Sequence, residues 1–227
     1  IAGLAAWLDE RGVDILSDRE VTGLDRRNGR VSGVVTRQGT VEADQVLLAA
    51  GAWTGPLASQ LGFRLPIQAG KGYSITWTNP ERQLRYPLDL LDAHAAVTPF
   101  AGALRIAGTM ELSGLNVRLE PPRVEAIRRA AQRYLGPWSR GTNEQVWVGM
   151  RPLTPDGLPV IGQVPGVENL YVNGGHQMLG ITLAPVSGEA VAQLMLTGTS
   201  GADLTPFDPS RFSRRSQPTI ANSSAAR

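Results

Sequence analysis

Trp147-Val-Gly-Met-Arg-Pro-Leu-Thr-Pro-Asp-Gly-Leu-Pro-Val-Ile-Gly162 and Asn173-Gly-Gly-His-Gln-Met-Leu-Gly-Ile-Thr-Leu-Ala-Pro185 decide the reading of this chain. The first runs from a strand-like stretch into a Pro/Gly-rich turn and sets a single arginine, Arg151, between them. The second passes through glycines straight into a helical pattern. A helix N-terminus offers free N–H groups and positive potential to an anion. Together the two suggest a site for an anionic substrate beside an electron-accepting cofactor. No G-x-G-x-x-G occurs in the 227 residues, so the usual dinucleotide fingerprint is missing.

Outward from these loops, each candidate has two readings. A guanidinium is a planar fork suited to a carboxylate, and Pro152 fixes the backbone beside Arg151. The same arginine also reads as one half of a structural ion pair, for instance with Asp156. Gly174, Gly175 and Gly180 let a flat ligand approach the backbone, or simply serve a strand–turn–helix connection. Ala49-Ala-Gly-Ala-Trp-Thr54 closes a buried strand, Gln45–Ala50, at the end where open α/β sheets bind ligands. It also reads as a tight turn with Trp53 in the core.

The remaining pattern predicts a helix over Ile1–Arg11, a strand at Val13–Leu16 and a hairpin turning at Asn28-Gly29. Strands follow at Gly70–Trp77, Ala95–Phe100, Leu104–Thr109, Gln145–Gly149 and Asn169–Asn173. Helices are expected over Pro122–Leu135, with Ile127, Ala130, Ala131 and Tyr134 on one face, and over Pro185–Thr197. The fold class is α/β plus α+β. An α/β domain (1–65 and 151–207) is interleaved with an antiparallel-sheet domain (66–150), and a disordered tail follows (208–227).

Composition narrows the classes. Hydrophobic residues at 42% and charged residues at 19% suit a globular core. A net charge of +2 with scattered arginines gives nucleic-acid binding no support. The absence of cysteine excludes disulfides and thiol catalysis. The two histidines, His94 and His176, form no ligand cluster, so no metal site is expected. No G-x-S-x-G elbow is present. No apolar run approaches the roughly 18 residues of a membrane span, and no signal peptide is visible. The chain starts at Ile1, inside a helical pattern, which suggests a fragment.

The segments Val21–Thr36, Val46–Gly62, Gly70–Ser74, Gly108–Leu112, Gly149–Gly162 and Gly174–Pro185 resemble the FAD-dependent D-amino acid dehydrogenase and glycine oxidase family. The order and spacing of Leu-Leu-Ala-Ala-Gly-Ala-Trp-Thr, Gly-Met-Arg-Pro-Leu-Thr-Pro-Asp-Gly-Leu-Pro-Val-Ile-Gly and Gly-His-…-Gly-Ile-Thr-Leu-Ala-Pro make it specific. The resemblance implies FAD as cofactor, makes the α/β part (1–65 and 151–207) an incomplete FAD/NAD(P)-binding-type domain, and makes the antiparallel sheet (66–150) its substrate domain. Val21 would meet the adenine through its backbone, and Ala50, Gly51 and Trp53 would lie close to the cofactor. Gly175, His176, Gln177, Met178, Leu179, Gly180, Ile181 and Thr182 would wrap the flavin's pyrimidine edge. Arg151 would bind the substrate carboxylate, with Met178 and Tyr73 in the substrate region. The implied reaction is hydride transfer from the α-carbon of a D-amino or secondary amino acid to flavin N5. The imino acid then hydrolyses to a 2-oxo acid. Such chemistry needs orientation rather than a dedicated protein base, so no catalytic residue is assigned. Glycine oxidase-like members carry an arginine where Met178 stands, which implies that an apolar side chain would line the substrate pocket in its place. The implied location is cytoplasmic, or peripheral to the inner membrane.

Two functional classes follow. One is the C-terminal part of a flavin-dependent amino acid dehydrogenase or oxidase. The other is a non-catalytic or partner-dependent chain whose FAD site is completed by a missing N-terminal segment or a partner chain. A simple amino acid-binding module is a weaker third, resting on Arg151.

Overall fold

Asn28 and Gly29 both take positive φ (51° and 81°) and join β1 (Val21–Arg27) to β2 (Arg30–Thr36), with Arg27 paired to Arg30. This is the two-residue turn whose twist matches paired strands. In this computed structural model, which describes residues 1–81, 83–136 and 143–213, β3 (Gly39–Glu42) completes a sheet of order β1-β2-β3.

A second sheet sits beside it. β4 (Val46–Leu48) runs parallel to β11 (Leu170–Gly174), and β10 (Val160–Gln163) is antiparallel to β11. Alternation splits its side chains. Val160, Leu170 and Val172 face a core shared with Val31, Leu57, Ala58 and Ile67. Ile161 and Tyr171 face Val191 of α4 (Gly180–Thr197). The sheet is thus covered on both faces, as a parallel pair requires. Asn169 knits the two sheets together. Its amide accepts from Val31 N (2.9 Å) and donates to the carbonyls of Val31 (2.7 Å) and Asp44 (2.8 Å).

The third sheet is antiparallel, of order β6-β7-β8-β5-β9. Its strands are β5 (Gln68–Thr78), β6 (Leu88–Leu90), β7 (Ala95–Phe100), β8 (Ala103–Glu111) and β9 (Asn143–Leu153). One face carries Tyr73, Ile75, Trp77, Val97, Leu104 and Ile106 and packs on Val124, Ile127 and Ala131 of α3 (Pro121–Leu135). Tyr134, expected on the same face, is exposed instead and is no part of that core. The opposite face carries Gly70, Gly72 and Ser74 of β5 beside Arg151, Gly149 and Trp147 of β9.

Four expectations need correction. Val13–Leu16 is not a strand: it has no partner among the described residues and its apolar side chains are exposed. It follows α1 (Ala2–Asp9), which buries none of its residues. α4 starts at Gly180 with Pro185 inside it, not at Pro185. The bond Leu183 N–H to Leu179 O (2.9 Å) marks that earlier start. β9 runs on through Arg151 and Pro152, so the arginine belongs to a strand rather than to a turn. Finally, the disordered tail expected from residue 208 does not begin there. Pro209–Phe212 forms a 3-10 turn with Arg211 bonded to Asp156 and to the carbonyls of Phe207, Leu158 and Pro159. Residues 214–227 lie outside the described residues.

Candidate active site

The sequence Gln68-Ala-Gly-Lys-Gly-Tyr of β5 prepares the surface on which Arg151 lies. A Cβ at Gly72 would sit 1.8 Å from Arg151 Nη1 and 2.4 Å from its Cζ. The guanidinium therefore rests on the bare backbone of Gly72, a place only glycine can vacate. Gly72 pairs in register with Gly149, where a Cβ would fall 2.0 Å from Trp147 Cη2. Guanidinium and indole share one glycine floor.

Arg151 is half-buried and makes no hydrogen bond or ion pair with any described residue. Burial pushes its pKa below the ordinary arginine value, yet an arginine stays charged in any protein setting. The ion pair weighed as its alternative does not form, because Asp156 is held by Arg211 (Nε–Oδ2 2.8 Å). A buried cation without a counter-ion is costly, and that cost is what an anionic ligand would relieve.

The glycine-rich turn is stitched to the strand end beside this arginine. Gln177 N–H donates to Pro152 O (3.1 Å), and its side-chain amide donates to Thr154 Oγ1 (2.8 Å). Gly175 and Gln177 both adopt left-handed φ (75° and 56°), and Leu179 N–H closes the turn on His176 O (2.9 Å). The turn delivers the chain into α4, which has no side-chain cap. The first N–H groups of a helix have no intrahelical partner, so those of Gly180, Ile181 and Thr182 are available. Met178, Leu179 and Ile181 expose their apolar side chains around them.

β4 and β11 release their chains at the same carboxyl end. After β4, Ala50 leads into a 3-10 turn, Gly51–Trp53, with Gly51 at φ 53° and open space above its α-carbon. Ala52 is buried, Trp53 is exposed, and the turn packs against β9 and β5. Three buried polar atoms around this end have no partner among the described residues: Thr54 Oγ1, Asn173 Oδ1 and His176 Nε2. Burial pushes the His176 pKa down, which keeps its ring neutral near pH 7. Val21 stands apart from this cluster, at the start of β1 opposite Thr36.

Tyr73 does not join the site. Its ring lies in the core behind the sheet, with its hydroxyl on Glu111 Oε2 (2.5 Å). Alternation places it on the face opposite Gly72 and Arg151. Tyr86 is exposed on the connection ahead of β6. Sequence reasoning missed the group that Tyr73 belongs to. Lys71, fully buried, pairs with Glu111 (3.1 Å) and donates to Asn116 Oδ1 and Arg118 O (both 2.8 Å). Arg123 adds a second cation to Glu111 (3.2 Å). Bonds from Ser113 and Tyr73, helped by Lys71 and opposed by burial, hold the Glu111 carboxyl down to about 2. A signal existed: Lys71 occupies a core-facing position in the run Ala69, Lys71, Tyr73, Ile75, Trp77, and so requires a buried carboxylate.

A family model described as FAD dependent oxidoreductase matches residues 1–194. The chain belongs to that family. Its relatives include the glycine oxidase of Pseudomonas putida, 33% identical over 205 residues, which are 90% of this chain and 56% of that one. A D-amino acid dehydrogenase of Cereibacter sphaeroides is 35% identical over 195 residues, 85% of this chain and 44% of its own. The fold is shared with the L-proline dehydrogenase of P. horikoshii (TM-score 0.81, 22% identity), covering 96% of this chain and 60% of that one. The chain spans about half the length of the curated relatives it matches. FAD is the family's cofactor. Among the described residues no helix is long and apolar enough to cross a membrane.

Proposed function

We propose that this chain forms the substrate-holding part, and part of the FAD site, of an enzyme that oxidises the C–N bond of a D-amino acid or secondary amino acid. The observation that carries this reading is the partnerless, half-buried guanidinium of Arg151 on its glycine floor. A carboxylate laid on that fork makes two charge-assisted bonds and is held in one orientation. The neighbouring turn fits a cofactor: its helix-terminal N–H groups favour an anionic edge, and the unpartnered Thr54, Asn173 and His176 atoms call for polar partners. Residues 176–182 and the Ala50–Trp53 turn would hold the flavin, with Met178 toward the substrate, and Val21 would meet the adenine. FAD, when bound there, supplies the acceptor for the two electrons removed with the α-hydrogen. The imino acid released adds water and splits into a 2-oxo acid and an amine or ammonia. This chain contributes orientation and water exclusion rather than a proton acceptor.

A different observation carries a second reading, in which FAD is held only with a further segment or a partner chain. The 227 residues contain no G-x-G-x-x-G turn for the pyrophosphate. Leu4, Trp7, Val13, Ile15 and Leu16 also leave an apolar surface uncovered.

The visible spectrum of the protein after incubation with FAD and desalting separates the two. Retained flavin bands that bleach on adding a D-amino acid support the first. Complete loss of flavin supports the second. In the complete enzyme, Arg151→Met removes a charge-assisted bond of about 1.5–3 kcal/mol, so KM should rise roughly tenfold to a hundredfold. An unchanged KM would sink the assignment.

A further inference from the structure

We infer that Trp147 is a specificity-determining residue. Its indole forms the wall against which the substrate's side chain packs, selecting amino acids with a large apolar or aromatic side chain over glycine-sized ones. The inference rests on the reading of Arg151 as the carboxylate fork.

Trp147 and Arg151 lie on the same face of β9 with Gly149 between them. The indole covers Gly149, and the guanidinium covers Gly72, the registered partner of Gly149. Registered partners in an antiparallel pair stand about 4.5–5.5 Å apart. The α-carbon of a carboxylate held by Arg151 is one bond from the carboxyl group, so its substituents fall within reach of the indole. Neither Gly72 nor Gly149 has a left-handed φ. The backbone does not demand glycine at either position; the groups lying above them do. The two glycines exist to seat a cation and an aromatic plane side by side.

The rest of the floor leaves room for a side chain. The row through Trp147 continues in register across Ser74, Ala107 and Ala96, all small. Met110, the partner of Gly72 on β8, flanks the guanidinium from the other side. Trp147 itself is 63% exposed, in contrast to Trp77, which is 2% exposed on the other face of the same sheet. An aromatic plane left bare next to an unpaired cation matches a ligand that is anionic at one end and apolar at the other.

The test uses two carboxylates that cannot be oxidised at an amine, acetate and 3-phenylpropanoate. Binding to the full chain supplemented with FAD is followed by isothermal titration calorimetry, a readout that all the variants share. The wild type should bind 3-phenylpropanoate about tenfold or more tightly than acetate. Trp147→Ala should bring that ratio close to one while keeping acetate affinity, and Trp147→Phe should keep most of the ratio. Arg151→Met should weaken both ligands equally. An unchanged ratio in Trp147→Ala, with Arg151→Met still defective, overturns the inference and leaves the Arg151 reading standing. Binding unaffected by Arg151→Met, or no binding by the wild type, overturns both.

Discussion

Gly72 shows how a missing side chain can define a site. Alanine there would force the Arg151 guanidinium off the strand, because the new Cβ would lie 1.8 Å from Nη1. Strand glycines cost about 0.5–1 kcal/mol relative to alanine. Gly72→Ala should therefore hold or raise the urea midpoint while acetate affinity falls about tenfold. Loss of both together would show instead that the position is structural. Behind the same strand, Glu111 makes a pH prediction. Its folded pKa of about 2 lies below the ordinary 4.5, so the ionised form is stabilised by folding. That contribution is complete above about 4.5 and is lost as pH falls toward 2. The urea midpoint of the wild type should drop between pH 5 and pH 3, and Glu111→Gln should flatten that part of the profile. Neither residue's role was legible in the sequence. A glycine's neighbour across a sheet and the partner of a buried lysine both depend on register, which the chain does not state locally.

Elements with strong local chemistry were readable. The Asn28-Gly29 hairpin, the strand at Ala95–Phe100 and the α3 stripe of Ile127 and Ala131 formed where turn residues and periodicity placed them. Val13–Leu16 failed because an apolar run becomes a strand only with a neighbour to pair with, and none of the described residues supplies one. Tyr73 failed for a related reason: period-two alternation gives two faces but not which of them meets the ligand. At α4, Gly180 has an ordinary φ, and a Cβ there would meet only His176 Cβ at 3.9 Å. Gly180→Val should therefore fold normally yet fill the space before the helix N-terminus. Retention of FAD through desalting should fall with an unchanged far-UV spectrum, and full retention would contradict the role proposed for this turn.

At the scale of the molecule, the β1-β2-β3 and β10-β11-β4 sheets are tied to one another by side chains as well as by a shared core. Asn169 joins those two, and Gln177 and the Gly51–Trp53 turn join the third. Asn169→Ala would leave the buried N–H and C=O of Val31 and the carbonyl of Asp44 without their partner. At about 1–3 kcal/mol for such a group, the denaturant midpoint should report a loss of roughly 2–3 kcal/mol. A change within error would mean water replaces the amide. The chemistry of the two loops suggested a shared site, but the bond that joins them, Gln177 N–H to Pro152 O, follows no local rule. Among the described residues, α1 makes no hydrogen bond to any of the three sheets. An eight-residue helix that buries nothing has little stability of its own in water. Its amides should exchange with deuterium within seconds while those of β5 wait for global opening. Exchange would thus divide the chain into a cooperative body and a segment that behaves almost as a free peptide.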